Sequence, residues 1–355
     1  MKREALLDRL RSTPRWDVLV IGGGATGLGC AVDAAARGHR TLLLEAHDFA
    51  KGTSSRSTKL VHGGVRYLAQ GRIGLVREAL AERATLLKNA PHLVHPQRFV
   101  VPVYRQWDRL VLGLGLTAYD WLAGARSLGA SCLLSPADTL TALPGIRHAG
   151  LVGGIAYMDA RFDDARLALT LMRSVFDHGG LALNYLPVTA LTHTNGKVTG
   201  LTAQDSETGE SFAIEARVVI NAAGVWADAI RRLDSTTASG QLAPSQGAHL
   251  VIDRDFLPGD AALLIPKTSD GRVLFIIPWQ GKVLLGTTDT PRHEMLLEPR
   301  PLASEIDFIL DTAARYLSRP PGRADVRSAF AGLRPLIGAS QGGATSALSR
   351  EHVIQ

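Results

Sequence analysis

Two clusters of small and polar residues near the start of the chain carry the first recognisable chemistry. Gly22-Gly23-Gly24-Ala25-Thr26-Gly27 follows the apolar run Asp17-Val18-Leu19-Val20-Ile21, and Thr53-Ser54-Ser55-Arg56-Ser57-Thr58-Lys59-Leu60-Val61-His62-Gly63-Gly64-Val65-Arg66-Tyr67 comes soon after. A glycine turn between strand and helix suits a pyrophosphate. Gly22 permits the tight turn, Gly24 lets backbone approach the phosphates, and Gly27 lets the helix pack close to the sheet. The phosphates then meet the positive end of that helix, where Ala25 and Thr26 lie. A second apolar strand, Thr41-Leu42-Leu43-Leu44, ends at Glu45, eighteen residues beyond Gly27. A carboxylate there accepts hydrogen bonds from ribose hydroxyls and disfavours a 2′-phosphate. Together the clusters predict a bound dinucleotide, FAD and not NADP. A nucleotide-free α/β fold is the competing reading, but strand, turn, helix, strand and acid arrive in the order that binding requires.

The elements that must hold these clusters are legible from periodicity and punctuation. The alanine-rich helix Leu28 to Arg37 stops at Gly38. Helical spacing recurs from Leu75 to Leu87, ahead of Pro91, and Phe99 to Tyr104 reads as a strand leaving the nucleotide unit. Asp163-Asp164 opens a helix with Leu167, Leu171 and Val175 on one face, closed by Gly179-Gly180. Asn195-Gly196 joins strands at Val188 to Thr194 and Lys197 to Thr202 as a two-residue hairpin, and Ser211 to Ile214 forms a third. The run Val218 to Trp226 breaks into Asn221-Ala222-Ala223-Gly224, small residues that allow a ligand close to backbone, or simply a strand-to-helix turn. Residues 236 to 324 are rich in strands, with Asp270-Gly271 and Gln280-Gly281 as hairpin turns, and predict an antiparallel floor for a substrate site.

Bulk properties bound the function. The 355 residues suffice for two domains, and 46% hydrophobic with 20% charged residues is ordinary for a globular protein. A net charge of +6 suits nucleic acid, an anionic membrane surface or an anionic substrate. The arginines are scattered and form no basic run, so nucleic acid is the weakest of the three. Residues 1 to 16 carry charges where a signal peptide needs an apolar core, and read as a short amphipathic leader of a cytoplasmic protein. Cys30 and Cys132 have no metal-ligand spacing, so neither a metal nor a disulfide is expected. No long uncharged apolar stretch spans a bilayer. Trp107 to Leu122, with Arg105, Arg109 and Arg126 around it, suits either a helix lying in a membrane interface or a helix packed in the core.

These motifs resemble those of the FAD-dependent glycerol-3-phosphate dehydrogenases, within the larger group of flavoproteins built like D-amino-acid oxidase. The likeness is carried by "VIGGGATG" from Val20, "TSSRSTKLVHGGVRY" from Thr53, "YMDARFDDARL" from Tyr157, "NAAGVWAD" from Asn221, "GAHLV" from Gly247, "FIIPW" from Phe275, "LLGTTDT" from Leu284 and "AGLRPL" from Ala331. The resemblance implies an α/β fold in which a Rossmann-like FAD-binding domain adjoins an antiparallel-β substrate domain. The first would comprise 17–83, 160–235 and 325–355, and the second 84–159 and 236–324. It also implies oxidation of sn-glycerol 3-phosphate to dihydroxyacetone phosphate, with electrons passed to a quinone, and peripheral seating on the inner face of the cytoplasmic membrane. Arg66, Arg334 and Arg350 match substrate-site arginines, the guanidinium fork being suited to phosphate oxygens. His249 matches the histidine that would take the hydroxyl proton, with His62 the weaker alternative. FAD contacts fall on Gly22, Gly24, Ala25, Thr26, Gly27, Glu45, Thr53, Ser54, Ser55, Ser57, His62, Gly63, Gly64, Val188, Ala223, Gly224 and Trp226.

One departure stands out. The family continues past this point with a strand, a "GGKLTTYR"-like turn and a helical domain, which predicts either weak FAD retention or a partner chain supplying the rest. An oxidase or dehydrogenase of a hydroxy or amino acid, and a silent fragment, are the competing functions. Nothing in the sequence decides between a monomer and a homodimer.

Overall fold

The apolar runs at the start of the chain form the middle of a parallel layer because a strand hydrophobic on both faces must be covered on both. Trp16–Ile21 pairs in parallel with Thr41–Leu44 on one side, Val18 opposite Thr41, and with Ser211–Asn221 on the other, Val18 opposite Val218. The sheet continues outward through Leu181–Leu183 beyond Thr41–Leu44, and through the antiparallel strands Lys197–Gln204 and Val188–Thr194 beyond Ser211–Asn221. This computed structural model describes residues 2–64, 67–68, 71–338 and 354.

Local chemistry sets the boundaries. The first helix after the glycine turn runs Ala25–Ala36 and ends before Gly38, whose φ of +84° is a conformation that favours glycine. Asp163 caps the helix Asp164–Asp177 by accepting the Arg166 N–H at 3.1 Å. Asn195 and Gly196 take φ of +52° and +73°, as a two-residue turn between right-twisted strands requires. Ser211–Asn221 unites two stretches that read separately in the sequence. Its first half alternates, burying Phe212, Ile214 and Ala216, and its second half feeds the parallel layer.

The segment read as a leader is built into this layer. Arg3–Ser12 is a helix that buries Leu7 and Leu10 with Leu19, Leu42 and Leu181, while Trp16 is already the first residue of the central strand.

A second sheet, of ten strands among the described residues, holds Val94–Val103, Gly153–Phe162, Ser245–Asp253, Ala262–Ile265, Leu274–Trp279 and Lys282–Gly286 among others. It is mainly antiparallel, and the Gln280-Gly281 turn connects two of its strands as the dipeptide predicts. Two segments grouped by sequence with the nucleotide unit hydrogen-bond here instead: Leu60–Val61 pairs with Gly153–Phe162, and Ser328–Arg334 pairs with Ser245–Asp253. The second pairing fixes the site, because its register sets Ser245 opposite Arg334 and His249 opposite Phe330.

Candidate active site

The glycine turn is shaped as the spacing predicts. Gly22 has φ +114°, and a Cβ there would stand 2.5 Å from the Ala222 carbonyl oxygen. A Cβ on Gly27 would collide with the Gly22 carbonyl oxygen, so glycine is what brings helix and turn together. Gly24 begins the helix with no side-chain cap, and its first turn carries no acid. Ser54 Oγ accepts the Ala25 N–H at 2.8 Å, binding the hydroxyl cluster to this helix start. Thr26 is exposed beside it. Glu45 directly follows the second strand, but its carboxylate accepts the N–H groups of Gly23 at 2.6 Å and His47 at 2.9 Å. It therefore also braces the turn, with lone pairs left for other donors.

The hydroxyl cluster divides into two tasks. Thr53 Oγ1 donates to the Leu333 carbonyl at 2.5 Å and Ser55 Oγ to that of Gly52 at 3.5 Å. Ser57 Oγ donates instead to Asp164 at 2.7 Å, and Lys59 Nζ lies 2.6 Å from the same carboxylate, so Ser57 anchors the loop to a helix. Trp226, Gly52, Thr53 and Leu333 share a narrow cleft, with Ala223 and Gly224 leading into it. Val188 opens its strand and packs against the core of the parallel layer, away from the cavity described next.

Between the loop 53–58, the Ser245–Asp253 and Ser328–Arg334 strands and the turn 287–289 lies a cavity of about 340 Å3, within the usual range for a small-molecule site. His62, His249, Arg272, Phe275 and Arg334 all line it. Arg334 Nη2 donates to Thr287 Oγ1 and to the Thr288 carbonyl, each at 3.0 Å, and Nη1 stands 3.6 Å from Asp289. Gly247 has no side chain because Arg334 lies across its Cα, where a Cβ would collide with the guanidinium.

His249 is 2% exposed, with Nε2 2.8 Å from Thr58 Oγ1 and with Nδ1 buried without a hydrogen-bond partner among the described residues. Phe330 stacks on its ring at 4.9 Å, and Lys59 Nζ lies 5.4 Å from the other ring's centre. Burial first, and then the charges of Arg334 and Lys59, push its pKa down from 6.5 to about 3. The imidazole is therefore neutral at physiological pH, and a neutral ring nitrogen is a proton acceptor.

The structure thus gathers His249, Arg334, His62, Thr53 and Ser57 around one cavity. Gly63 and Gly64 follow His62 on the same loop. Arg66 and Arg350 lie outside the described residues. Sequence reasoning missed four groups. Thr58 orients His249, Asp289 faces Arg334, Arg272 enters the cavity while Asp270 holds its Nε at 2.6 Å, and Lys59 adds positive charge. The motif around Lys59 was visible, but its contact with Asp164 spans 105 residues and has no local signal.

Comparison with known proteins identifies the family. Residues 17–349 match the family described as FAD dependent oxidoreductase. The mitochondrial glycerol-3-phosphate dehydrogenase of Mus musculus is 41% identical over 367 residues, covering 99% of this chain and 50% of that protein. The glycerol-3-phosphate dehydrogenase of Mycobacterium leprae is 42% identical, covering 99% of this chain and 60% of its own length. The crystal structure of the Bacillus halodurans glycerol-3-phosphate dehydrogenase complexed with FAD superposes with a TM-score of 0.78 at 37% identity, covering 95% of this chain and 60% of that one. The chain thus spans about half to three fifths of the length of these relatives. A match over nearly the whole chain, with the glycine turn and the two-layer architecture described above, places the protein in the FAD-dependent oxidoreductase family.

Proposed function

We propose that the chain oxidises sn-glycerol 3-phosphate to dihydroxyacetone phosphate. The observation that carries this reading is the pairing of a neutral, buried His249 with the Arg334 fork in one cavity. A guanidinium holds a phosphate by charge-assisted hydrogen bonds, and an uncharged imidazole a few residues away in the sheet is suited to take a hydroxyl proton.

The residues present fit FAD. The helix start at Gly24, which has no side chain of its own to cap it, the absence of first-turn acid and the collisions any side chain would meet at Gly22 and Gly27 make a backbone cradle for a pyrophosphate. Gly22, Gly24, Ala25, Thr26 and Gly27 would hold the phosphates, Glu45 the ribose, and the Thr53–Ser55 hydroxyls with Ala223, Gly224 and Trp226 the remainder. FAD supplies a two-electron acceptor for the hydride on the substrate's C2.

This chain's residues supply the rest. Arg334, steadied by Thr287 and Thr288, fixes the phosphate and so the position of C2. His249 takes the proton of the C2 hydroxyl, Thr58 holding the ring by Nε2. A bound dianion offsets the two cationic neighbours that depress His249, which raises its pKa in the complex and strengthens it as a base. C2 thereby loses one hydride and its hydroxyl one proton, leaving the ketone. His62, lining the same cavity, is the alternative base.

A quinone in a membrane would receive the electrons. This part of the proposal rests on the helix Gln106–Ala123. Trp107, Leu110, Leu114 and Trp121 are 63 to 81% exposed on its outer face, with Leu133 beside them and Arg105, Arg109 and Arg126 around them. Its inner face buries Leu116 and Tyr119, so the two readings left open by the sequence describe opposite faces of one helix. Among the described residues no helix is long and apolar enough to cross a membrane, and an apolar face ringed by arginine suits a helix lying on an anionic surface.

Adding glycerol 3-phosphate anaerobically to the flavin-loaded chain tests the reading: the yellow colour should bleach. A chain bleached instead by a hydroxy or amino acid would move the assignment to carboxylate substrates.

A further inference from the structure

Beneath the cavity lies a buried polar network that the proposed chemistry does not use. Tyr119, 1% exposed on the inner face of the helix Gln106–Ala123, accepts the Gly63 N–H at 2.8 Å and donates to Asp159 Oδ2 at 2.8 Å. Asp159 Oδ1 accepts from Arg83 Nη1 at 2.8 Å, both side chains being 1% exposed. Arg83 Nη2 donates onward to the Arg126 carbonyl at 3.1 Å, three residues past the end of the helix.

The network ends on the residues that shape the cavity wall. Gly63 can reach the phenol only as glycine, since a Cβ would collide with Tyr119 Oη and come within 2.6 Å of Leu80. The next residue, Gly64, donates its N–H to His62 Nδ1 at 3.1 Å, and the His62 ring faces Phe275 on the cavity lining with centroids 5.8 Å apart. With Nδ1 accepting, a neutral His62 carries its proton on Nε2. The helix is thus hydrogen-bonded to the backbone of Gly63, and the backbone of the next residue to the ring of His62.

As a source of stability the arrangement is inefficient. Burial raises the Asp159 pKa, with the Arg83 guanidinium only partly opposing it, and apolar residues of equal volume commonly stabilise as well as a buried ion pair does. Apart from Arg83 Nε, which has no partner among the described residues, the side chains of this network are paired, and such a network selects one geometry because any displaced member leaves a further buried group unpaired. We propose that Tyr119, Asp159 and Arg83 are positioning residues which hold the His62–Gly64 segment at the cavity wall and tie it to the apolar helix.

Hydrogen exchange followed by mass spectrometry tests this in the chain without substrate, independently of the activity proposed above. Tyr119→Phe keeps the ring and removes the hydroxyl. It should speed exchange in a peptide spanning 60–68 by tenfold or more, while peptides covering Trp16–Ile21 and Thr41–Leu44 keep their rates. Leu116→Ala, which loosens the same helix without touching the network, should leave the 60–68 peptide no faster than the rest of the second sheet. In steady-state assays on the proposed substrate, Tyr119→Phe should lower kcat while KM stays within twofold, because Arg334 is untouched. Unchanged exchange at 60–68 in Tyr119→Phe, or the same acceleration in Leu116→Ala, overturns the proposal whatever the assays give. Local acceleration without any substrate turnover supports the network and counts against the catalytic reading alone.

Discussion

Mild acid should weaken this fold through His249, by an amount that follows from its surroundings. Its imidazole is buried and neutral, with a pKa lowered from 6.5 to about 3 by desolvation and then by Arg334 and Lys59. The unfolded chain leaves it free to protonate near its ordinary value. Between those two values the unfolded state binds more protons, so the contribution is fully present above 6.5 and is lost as pH falls through the window. For a single group with these two pKa values, the loss between pH 7 and pH 5 is about 2 kcal/mol, roughly thirtyfold in the folding equilibrium. His249→Gln retains a hydrogen-bonding group near Thr58 but cannot gain a proton. Urea unfolding followed by tryptophan fluorescence at the two pH values gives the comparison. The wild type should lose about 2 kcal/mol more than the variant, since carboxylates such as Asp253, held down near 2 by Arg327 and Lys282, contribute equally to both. Equal losses in the two proteins would show that His249 titrates normally in the fold, and the argument for its neutrality would fail.

Three further outcomes follow from the same geometry. Arg334→Lys loses the fork while keeping the charge, and removing one charge-assisted hydrogen bond of about 1.5–3 kcal/mol should raise KM for glycerol 3-phosphate by roughly 10- to 150-fold with flavin content unchanged; a parallel fall in flavin content would make Arg334 a structural residue. Gly24→Val narrows the gap to Ser54, whose Oγ would already lie 3.1 Å from a new Cβ, and should abolish flavin binding measured by absorbance; a variant that stays yellow would refute the backbone cradle. Trp107→Asp with Leu114→Asp should eliminate co-sedimentation with anionic vesicles while leaving turnover of a soluble dye acceptor intact, and undiminished sedimentation would remove the membrane assignment.

Much of this could be read from the residues because it is local. Val18 to Ile21, the glycine turn and Gly38 describe one strand, one helix start and one helix end within twenty residues of each other, and each is set by backbone sterics. The hairpin at Asn195-Gly196 is legible for the same reason. The cavity is different, because it is assembled by register between distant strands. Nothing near Thr58 indicates that it will meet His249, 191 positions away, and nothing in "AGLRPL" indicates that its strand joins the second sheet and not the first. Glu305 illustrates the same limit. Its buried carboxylate accepts from Gln246, Thr288 and Thr290, bracing the turn that holds Arg334, yet in the sequence it is one acid in the first turn of a helix.

Whether this chain holds FAD against a site for glycerol 3-phosphate is decided by an anaerobic titration. With the chain loaded with FAD, added glycerol 3-phosphate should bleach the flavin absorption and release one dihydroxyacetone phosphate per flavin reduced. Flavin that stays oxidised under excess glycerol 3-phosphate, in a preparation that dithionite reduces fully, would contradict the account.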